Sequence, residues 1–249
     1  MKVAMLAAGT GSRLGQGSEA PPKALLSFRG RSLLERHLAM LKSFGLEDLT
    51  IATGYRAETI RAELTRLGAG PRVRTRFNTA FRSSSLLSLW TVREVFRAGE
   101  PVLYMDADVL TDRRMMARLL EHDGEDALLV DRRVDPGDDP LKVALKGGQV
   151  VDFHKRLTAT DHDQVAEWIG FMRLGAESAH VLAAQLDAFV AAGRTEVIYE
   201  EPIRATMLER GSFRAIDVTG LPWIEIDFPE DLERAKERIL PELQHPDDV

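Results

Sequence analysis

A set of charged residues in this chain has the types and spacing to handle a phosphate ester. Arg13 and Lys23 lie near the N-terminus in "MKVAMLAAGTGSRLGQGSEAPPKALLSFRG", just after Gly9 and Gly11. Glycines let backbone approach an anion closely and point N–H groups at it. An arginine then adds a bidentate contact and a lysine a mobile point charge. The spacing is not that of a dinucleotide loop opening directly into a helix, nor of a P-loop, because no G-K-[ST] occurs. A surface turn with two solvated cations would carry the same residues. Asp106 and Asp108 in "LYMDADVL" close an apolar strand and, two apart, project to one side. Two such carboxylates repel unless a cation lies between them, and oxygen ligands suit Mg²⁺. The pair also suits a strand-end turn in which Asp108 caps the next helix. In "GLPWIEIDFPEDLERAKE", Glu225 and Asp227 share a face of a short strand and could complete that coordination. Asp227, with Glu230 three residues on, equally makes a capping box, which taken alone is the stronger reading.

The elements that must position these residues alternate between strand and helix. Val3–Ala8, apolar on both faces and ended by glycine, predicts a buried strand. Ser32 to Glu35 predicts the capped start of a helix to about Phe44, with Gly45 as its stop. Strands follow at Leu49–Thr53, Val73–Arg76, Pro101–Met105 and Ala127–Asp131, and helices at Ala57–Leu67, Ser85–Phe96 and Asp112–Glu121. This alternation predicts an α/β fold, Rossmann-like, with a mostly parallel sheet and helices on both faces. From Asp131 the rhythm changes to a mixed β insertion. A hairpin is expected over Leu141–Leu145 and Gln149–Phe153, a strand at Trp168–Leu174 and another at Phe213–Val218. Helices are expected at Glu177–Ala191, Glu201–Arg210 and Pro229–Leu240. The expected organisation is a single domain over 1–249. It comprises a nucleotide-binding half (1–131), an acceptor-binding half (132–240) and a frayed tail (241–249).

The bulk properties narrow the possible partners. Of the 249 residues 44% are hydrophobic and 6% aromatic, enough for a full core. A formal charge of −6 argues against a nucleic-acid binder. No apolar run approaches the roughly 20 residues that cross a bilayer, so no membrane partner is expected. The absence of cysteine and of a secretory leader pattern predicts a reducing, cytoplasmic home.

Taken in order, the motifs resemble a known family. "LAAGTGSRLG…PPKAL" is similar to the N-terminal pattern of the nucleotidyltransferase (sugar-nucleotide pyrophosphorylase) superfamily, L-x-A-G-x-G-x-R-[LM]…P-K. "NTAFRSSSLLSLWTVRE", "MDADV", "EWIGFMRL" and "GLPWIEIDFPEDLERA" resemble a branch of cytidylyltransferases acting on phosphocholine and small phosphonates. The likeness runs from Met1 to about Glu237. It implies that Leu6, Ala7, Ala8, Gly9, Thr10 and Gly11 wrap CTP, with Ser84 and Ser85 also at the nucleotide. Arg13 would hold the departing pyrophosphate, and Lys23 the α-phosphate in the transition state. Asp106 and Asp227 would carry Mg²⁺, with Asp108 beside them. Lys155, Trp168, Glu200 and Glu225 would face the acceptor, a small phosphate or phosphonate. A homodimer is the family-level expectation for assembly.

The chain departs from the phosphocholine enzymes at Ser84-Ser85, where they carry Asn-Asn. Choline would want an aromatic cage, for which Trp90, Trp168, Tyr199 and Trp223 are the available rings, with Glu200-Glu201 as a counter-charge. Other readings are a sugar-1-phosphate or cyclitol-phosphate nucleotidyltransferase using another base, a metal-dependent glycosyltransferase, and a non-catalytic nucleotide sensor. Arg13 and Lys23 on the glycine loop argue against a glycosyltransferase, and an intact Lys23, Asp106 and Asp227 against a sensor.

Overall fold

The computed structural model describes residues 1–15, 20–134 and 140–244. In chain order its strands and helices are β1 (Lys2–Ala7), β2 (Ser27–Phe28), β3 (Arg31–Ser32), α1 (Leu33–Ser43), β4 (Leu49–Thr53), α2 (Ala57–Arg66), β5 (Val73–Phe77) and α3 (Ser85–Thr91). They continue with β6 (Val102–Asp106), β7 (Val109–Thr111), α4 (Arg113–Glu121), β8 (Ala127–Asp131), β9 (Lys142–Lys146), β10 (Gln149–His154) and β11 (Gln164–Leu174). The last are α5 (Ala176–Ala191), α6 (Glu200–Arg210), β12 (Arg214–Asp217), β13 (Trp223–Glu225) and α7 (Pro229–Arg234).

Nine strands form one sheet in the order β5-β4-β1-β6-β11-β8-β12-β10-β9. Seven of the nine share a direction, and β10 and β11 run against them. The expected α/β alternation is therefore present in the first half and the mixed insertion in the second. Alternation along β1 and β6 splits the core. Ala4 and Tyr104 pack on one face with Leu89 of α3, Leu182 of α5 and Ile203 of α6. Val3, Met5, Leu103 and Met105 pack on the other with Leu34 of α1, Ile60 of α2 and Met115 of α4. Each fully buried aliphatic side chain contributes roughly 1.5–3 kcal/mol, which fixes where the carboxyl ends of β1 and β6 emerge.

Three features depart from the sequence expectation. Strand β11 begins four residues before the expected Trp168, because Gln164–Glu167 pair with β9. That pairing closes β8, β11, β9, β10 and β12 into a ring. The last helix, expected over Pro229–Leu240, is α-helical only to Arg234 and widens into a π turn over Ala235–Ile239. The tail expected to fray is held through residue 244. Gln244 N donates to the buried Asp112 carboxylate at 2.7 Å, and Gln244 O accepts from Arg113 N at 3.2 Å. The rest of that expected tail, 245–249, lies outside the described residues.

Within β11, Gly170 takes φ +84°, and the register against β8 shifts between Trp168 and Met172. A Cβ there would stand 2.8 Å from Asp106 Oδ2 and 3.3 Å from Val109 Cγ2. The bend brings the strand backbone directly against Asp106, which only glycine permits. Gly170→Ala is expected to lower stability by about 2 kcal/mol or more, read as a drop in the urea midpoint without a change in slope.

Candidate active site

The loop leaving β1 is shaped by two glycines with different duties. Gly11 takes φ +64°, and a Cβ on it would meet Lys23 Cγ at 3.4 Å. That is ordinary contact, so it is the positive φ of the turn, with the lysine stem packed beside it, that calls for glycine here. Nothing stands within 4 Å of a Cβ on Gly9, so its backbone faces open space. The lysine runs past this loop to the acidic motifs. Lys23 Nζ donates to Asp108 Oδ2 at 3.0 Å and to Asp227 Oδ1 by a short bond. Burial alone would lower the lysine pKa, but Asp108 and Asp227 outweigh it and raise the pKa, so Lys23 stays an ammonium. Arg13 Nη2 reaches the same Asp227 oxygen at 2.8 Å, and its guanidinium lies 5.2 Å from the Phe228 ring centre.

A two-stranded ribbon brings the acidic motifs together. β13 pairs antiparallel with β7, setting Glu225 opposite Val109, and Ile226 N bonds Asp108 O at 3.0 Å. Oxygens of Asp108, Glu225 and Asp227 consequently lie within 4.8 Å of one another, a donor set that suits a hard divalent cation. Glu225 opens onto the cavity, yet the protein packed around it, followed by the charges of Asp108, Asp227 and Asp106, pushes its carboxyl well above the usual range.

Asp106 stands outside this trio, which corrects the expected Asp106–Asp227 pair. Strand β6 ends at Asp106, so the same-side rule does not extend to Asp108, which follows in a turn. Asp106 is buried, and both its oxygens accept tyrosine hydroxyls, from Tyr104 at 2.7 Å and Tyr199 at 2.9 Å. Burial first, and then the charge of Asp108, raises its pKa well above the ordinary carboxylate value.

The capping ambiguity at Asp227 also resolves. Phe228, not Asp227, occupies the N-cap position of α7. Asp231, rather than Glu230, reaches back to the backbone N–H groups of Asp227 and Phe228, at 3.0 and 2.8 Å. The Asp227 carboxylate is thereby left for Lys23 and Arg13.

These groups line a cavity of about 940 Å³. Leu6, Ala8, Gly9, Thr10, Arg13 and Lys23 line it together with Asp106, Asp108, Glu225 and Asp227. Ser84, Ser85, Lys155, Trp168 and Glu200 lie on the same wall system. Ala7 and Gly11 line a smaller space of about 240 Å³ that shares Lys23 and Arg13 with the first. Trp168 stacks on Tyr104 at 5.9 Å and meets Phe153 and Tyr199 edge-on at 5.2 and 6.2 Å. Its indole N–H donates to Phe171 O at 3.2 Å, so most of this ring belongs to the core. Glu200 Oε2 is buried with no hydrogen-bond partner among the described residues. Burial raises its pKa to about 7 against the opposing pulls of its own backbone N–H and of Lys155.

Of the other rings considered for a cage, Trp223 lines the cavity and donates to Asp131. Trp90 donates to Asp187 and lies under Arg93, away from the lining. Sequence reasoning missed Arg82, Arg133 and Arg238, which line the same cavity. Arg82 stands beside the serine run that was singled out, and Arg238 is four residues from Arg234 on the expected last helix. Arg133 had no local signal.

A parallel sheet with a glycine loop, two cations and a carboxylate trio at its carboxyl edge defines a phosphate-handling α/β site. The family model for the MobA-like NTP transferase domain matches residues 3–170. The chain belongs to this family and is a nucleotidyltransferase domain. It is 29% identical over 246 residues to the bifunctional IPC transferase and DIPP synthase of Rubrobacter xylanophilus, covering 95% of this chain and 51% of that protein. It is 20% identical to the CTP:phosphoglutamine cytidylyltransferase of Campylobacter jejuni, covering 94% and 98%. The chain thus spans about half the length of the first relative and nearly all of the second. In fold it is similar to the CTP:phosphocholine cytidylyltransferase of Streptococcus pneumoniae, with a TM-score of 0.75, 22% identity, and 95% and 97% coverage. No helix among the described residues is long and apolar enough to cross a membrane.

The division of labour between the two aspartates can be checked by melting. Asp231→Ala, which removes the helix cap, is expected to lower Tm by a few degrees, from a loss of about 1 kcal/mol. Asp227→Asn is expected to shift Tm less than Asp231→Ala while removing activity. The reverse order of Tm losses would return the capping role to Asp227.

Proposed function

We propose that this domain joins CTP to a small phosphate or phosphonate acceptor bearing a cationic group, as in phosphocholine or 2-aminoethylphosphonate, releasing pyrophosphate. The observation that carries the reading is Glu200 Oε2, a carboxylate oxygen buried with no hydrogen-bond partner among the described residues on the wall of the cavity that also holds the cationic loop. A buried charge is costly unless paired, so the site is suited to a ligand that brings a cation. Lys155 on the same lining suits the acceptor's anionic end. The cytidylyltransferase names of two of the proteins compared support the choice of CTP.

The acceptor oxyanion attacks the α-phosphorus, a new P–O bond forms, and the bond to the β-phosphate breaks with pyrophosphate leaving. The oxyanion is a nucleophile at neutral pH, so no covalent intermediate with the protein is needed. The work of the chain is alignment and charge neutralisation. The glycine loop holds the triphosphate through backbone N–H groups, Arg13 takes the departing pyrophosphate, and Lys23 takes the charge at the α-phosphate. Asp108, Glu225 and Asp227 would hold Mg²⁺, which when bound neutralises phosphate charge and draws the electrons of the leaving group.

The family sets aside glycosyl transfer. A cyclitol-phosphate acceptor is the second reading, supported by the likeness in fold to the inositol-1-phosphate CTP transferase of T. maritima, with a TM-score of 0.72 and 19% identity. Pyrophosphate release with Mg²⁺, crossing CTP, UTP, GTP and ATP with phosphocholine, 2-aminoethylphosphonate, inositol-1-phosphate and glucose-1-phosphate, separates the two. Release confined to CTP and the cationic acceptors is expected. Release only with inositol-1-phosphate or glucose-1-phosphate would overturn the proposal.

Two further outcomes follow from the residues. Lys23→Ala is expected to lower kcat by about 10²–10³ while changing the CTP Kd only a few-fold, because its contact strengthens in the transition state. Equal losses in both would make Lys23 a binding group only. Glu200, with its pKa raised to about 7, is largely neutral below that pH in the free protein. The acceptor kcat/KM should therefore fall as pH drops through 7, and Glu200→Gln should be lower and flat across that range.

A further inference from the structure

Ser84 occupies the N-cap position of α3, where a serine hydroxyl ordinarily accepts from first-turn N–H groups, yet it makes no such bond. Its hydroxyl donates instead to the carbonyl of Thr195, 111 residues further along the chain. Beside it, Ser85 Oγ accepts the backbone N–H of Tyr199 at 3.0 Å. Two adjacent hydroxyls thus hold both ends of the segment 195–199, which joins α5 to α6. A third tether comes from the end of β6, where the Tyr199 hydroxyl donates to Asp106 Oδ2 at 2.9 Å. The Tyr199 ring is wedged against Tyr104 at 5.8 Å and Trp168 at 6.2 Å. The next residue is Glu200, which opens α6 and lines the cavity.

We infer that Ser84 and Ser85 are specificity-determining positioning residues for the acceptor. They fix the segment 195–199 so that the Tyr199 ring and the Glu200 carboxylate stand at the cavity wall. This adds a second duty to their expected place at the nucleotide: each hydroxyl meets the segment 195–199, while Ser85 keeps its O–H and Ser84 its lone pairs for a ligand in the cavity they line. The inference rests on the proposed cationic acceptor, since Glu200 is the group whose position is being set.

The test combines amide exchange with a split of kinetic constants. In Ser85→Ala the Tyr199 amide should exchange roughly tenfold faster, and the acceptor KM should rise roughly tenfold, as expected for one lost hydrogen bond. Over the same change kcat and the CTP Kd should stay within about twofold, because the glycine loop, Lys23 and Arg13 are untouched. Ser84→Ala should move the same quantities in the same direction. Ser85→Thr, which keeps the hydroxyl, should restore wild-type values and guards against a general loss of packing. A weakened CTP Kd with an unchanged acceptor KM would overturn the inference and return the serines to the nucleotide. Unchanged Tyr199 exchange would equally overturn it. If the wild-type protein turns over no cationic acceptor, the proposed function fails. The Tyr199 exchange and the CTP Kd need no turnover and still decide whether the serines hold this segment.

Discussion

The site depends on one ammonium group placed between two carboxylates. Lys23 reaches Asp108, 85 residues away, and Asp227, 204 residues away, so one side chain ties the first loop of the chain to both acidic motifs. Without a cation those carboxylates, with Glu225 beside them, would repel at close range. In the described state Lys23 and Arg13 supply the balancing charge. These two cations are also the groups suited to a triphosphate, so anion and divalent cation address the same set of ion pairs. A ligand that draws Lys23 and Arg13 away uncovers the carboxylates, and a cation on the carboxylates frees Lys23 and Arg13.

Several otherwise ordinary features serve that arrangement. Gly11, at φ +64°, turns the loop beside the lysine stem. The β7–β13 ribbon brings the end of one motif to the start of the other. Asp231 caps α7 and leaves Asp227 unencumbered. On the far side of the cavity, β10 leads into the segment carrying Lys155, and Asp152 fixes that segment. It accepts from the backbone of Thr158 and Ala159 and from Arg204 of α6. Burial opposes its ionisation, but these bonds outweigh it and hold its carboxyl below the usual range, so the clamp is charged at neutral pH. Asp231 and Asp152, both buried, thus spend their carboxylates on the backbone that carries Asp227 and Lys155.

Much of this was legible in the chain because the signals are local. The strand before the glycine loop, the alternation of elements to Asp131, the hairpin around Lys146-Gly147-Gly148 and the position of Lys23 all follow from short-range pattern. What was not legible depends on pairing between distant segments. The choice between Asp106 and Asp108 turns on where β6 ends, which periodicity cannot give to one residue, and on two tyrosine hydroxyls, one from 93 residues away. Asp227 looked like a cap because capping motifs are degenerate. The actual cap lies one residue beyond the Glu230 of the expected box, since the N-cap is Phe228. The duty of Ser84 and Ser85 was hidden because their partners, Thr195 and Tyr199, come from the other half of the chain.

The central claim is that the cavity couples the α-phosphorus of CTP to an acceptor oxyanion. The most direct measurement is ³¹P NMR of the protein with CTP, Mg²⁺ and phosphocholine or 2-aminoethylphosphonate. The account predicts that acceptor and triphosphate signals decline together, replaced by the coupled pair of a CMP-linked product and an equimolar pyrophosphate signal. CTP hydrolysis that proceeds equally without acceptor, or acceptor consumption without pyrophosphate, would contradict it.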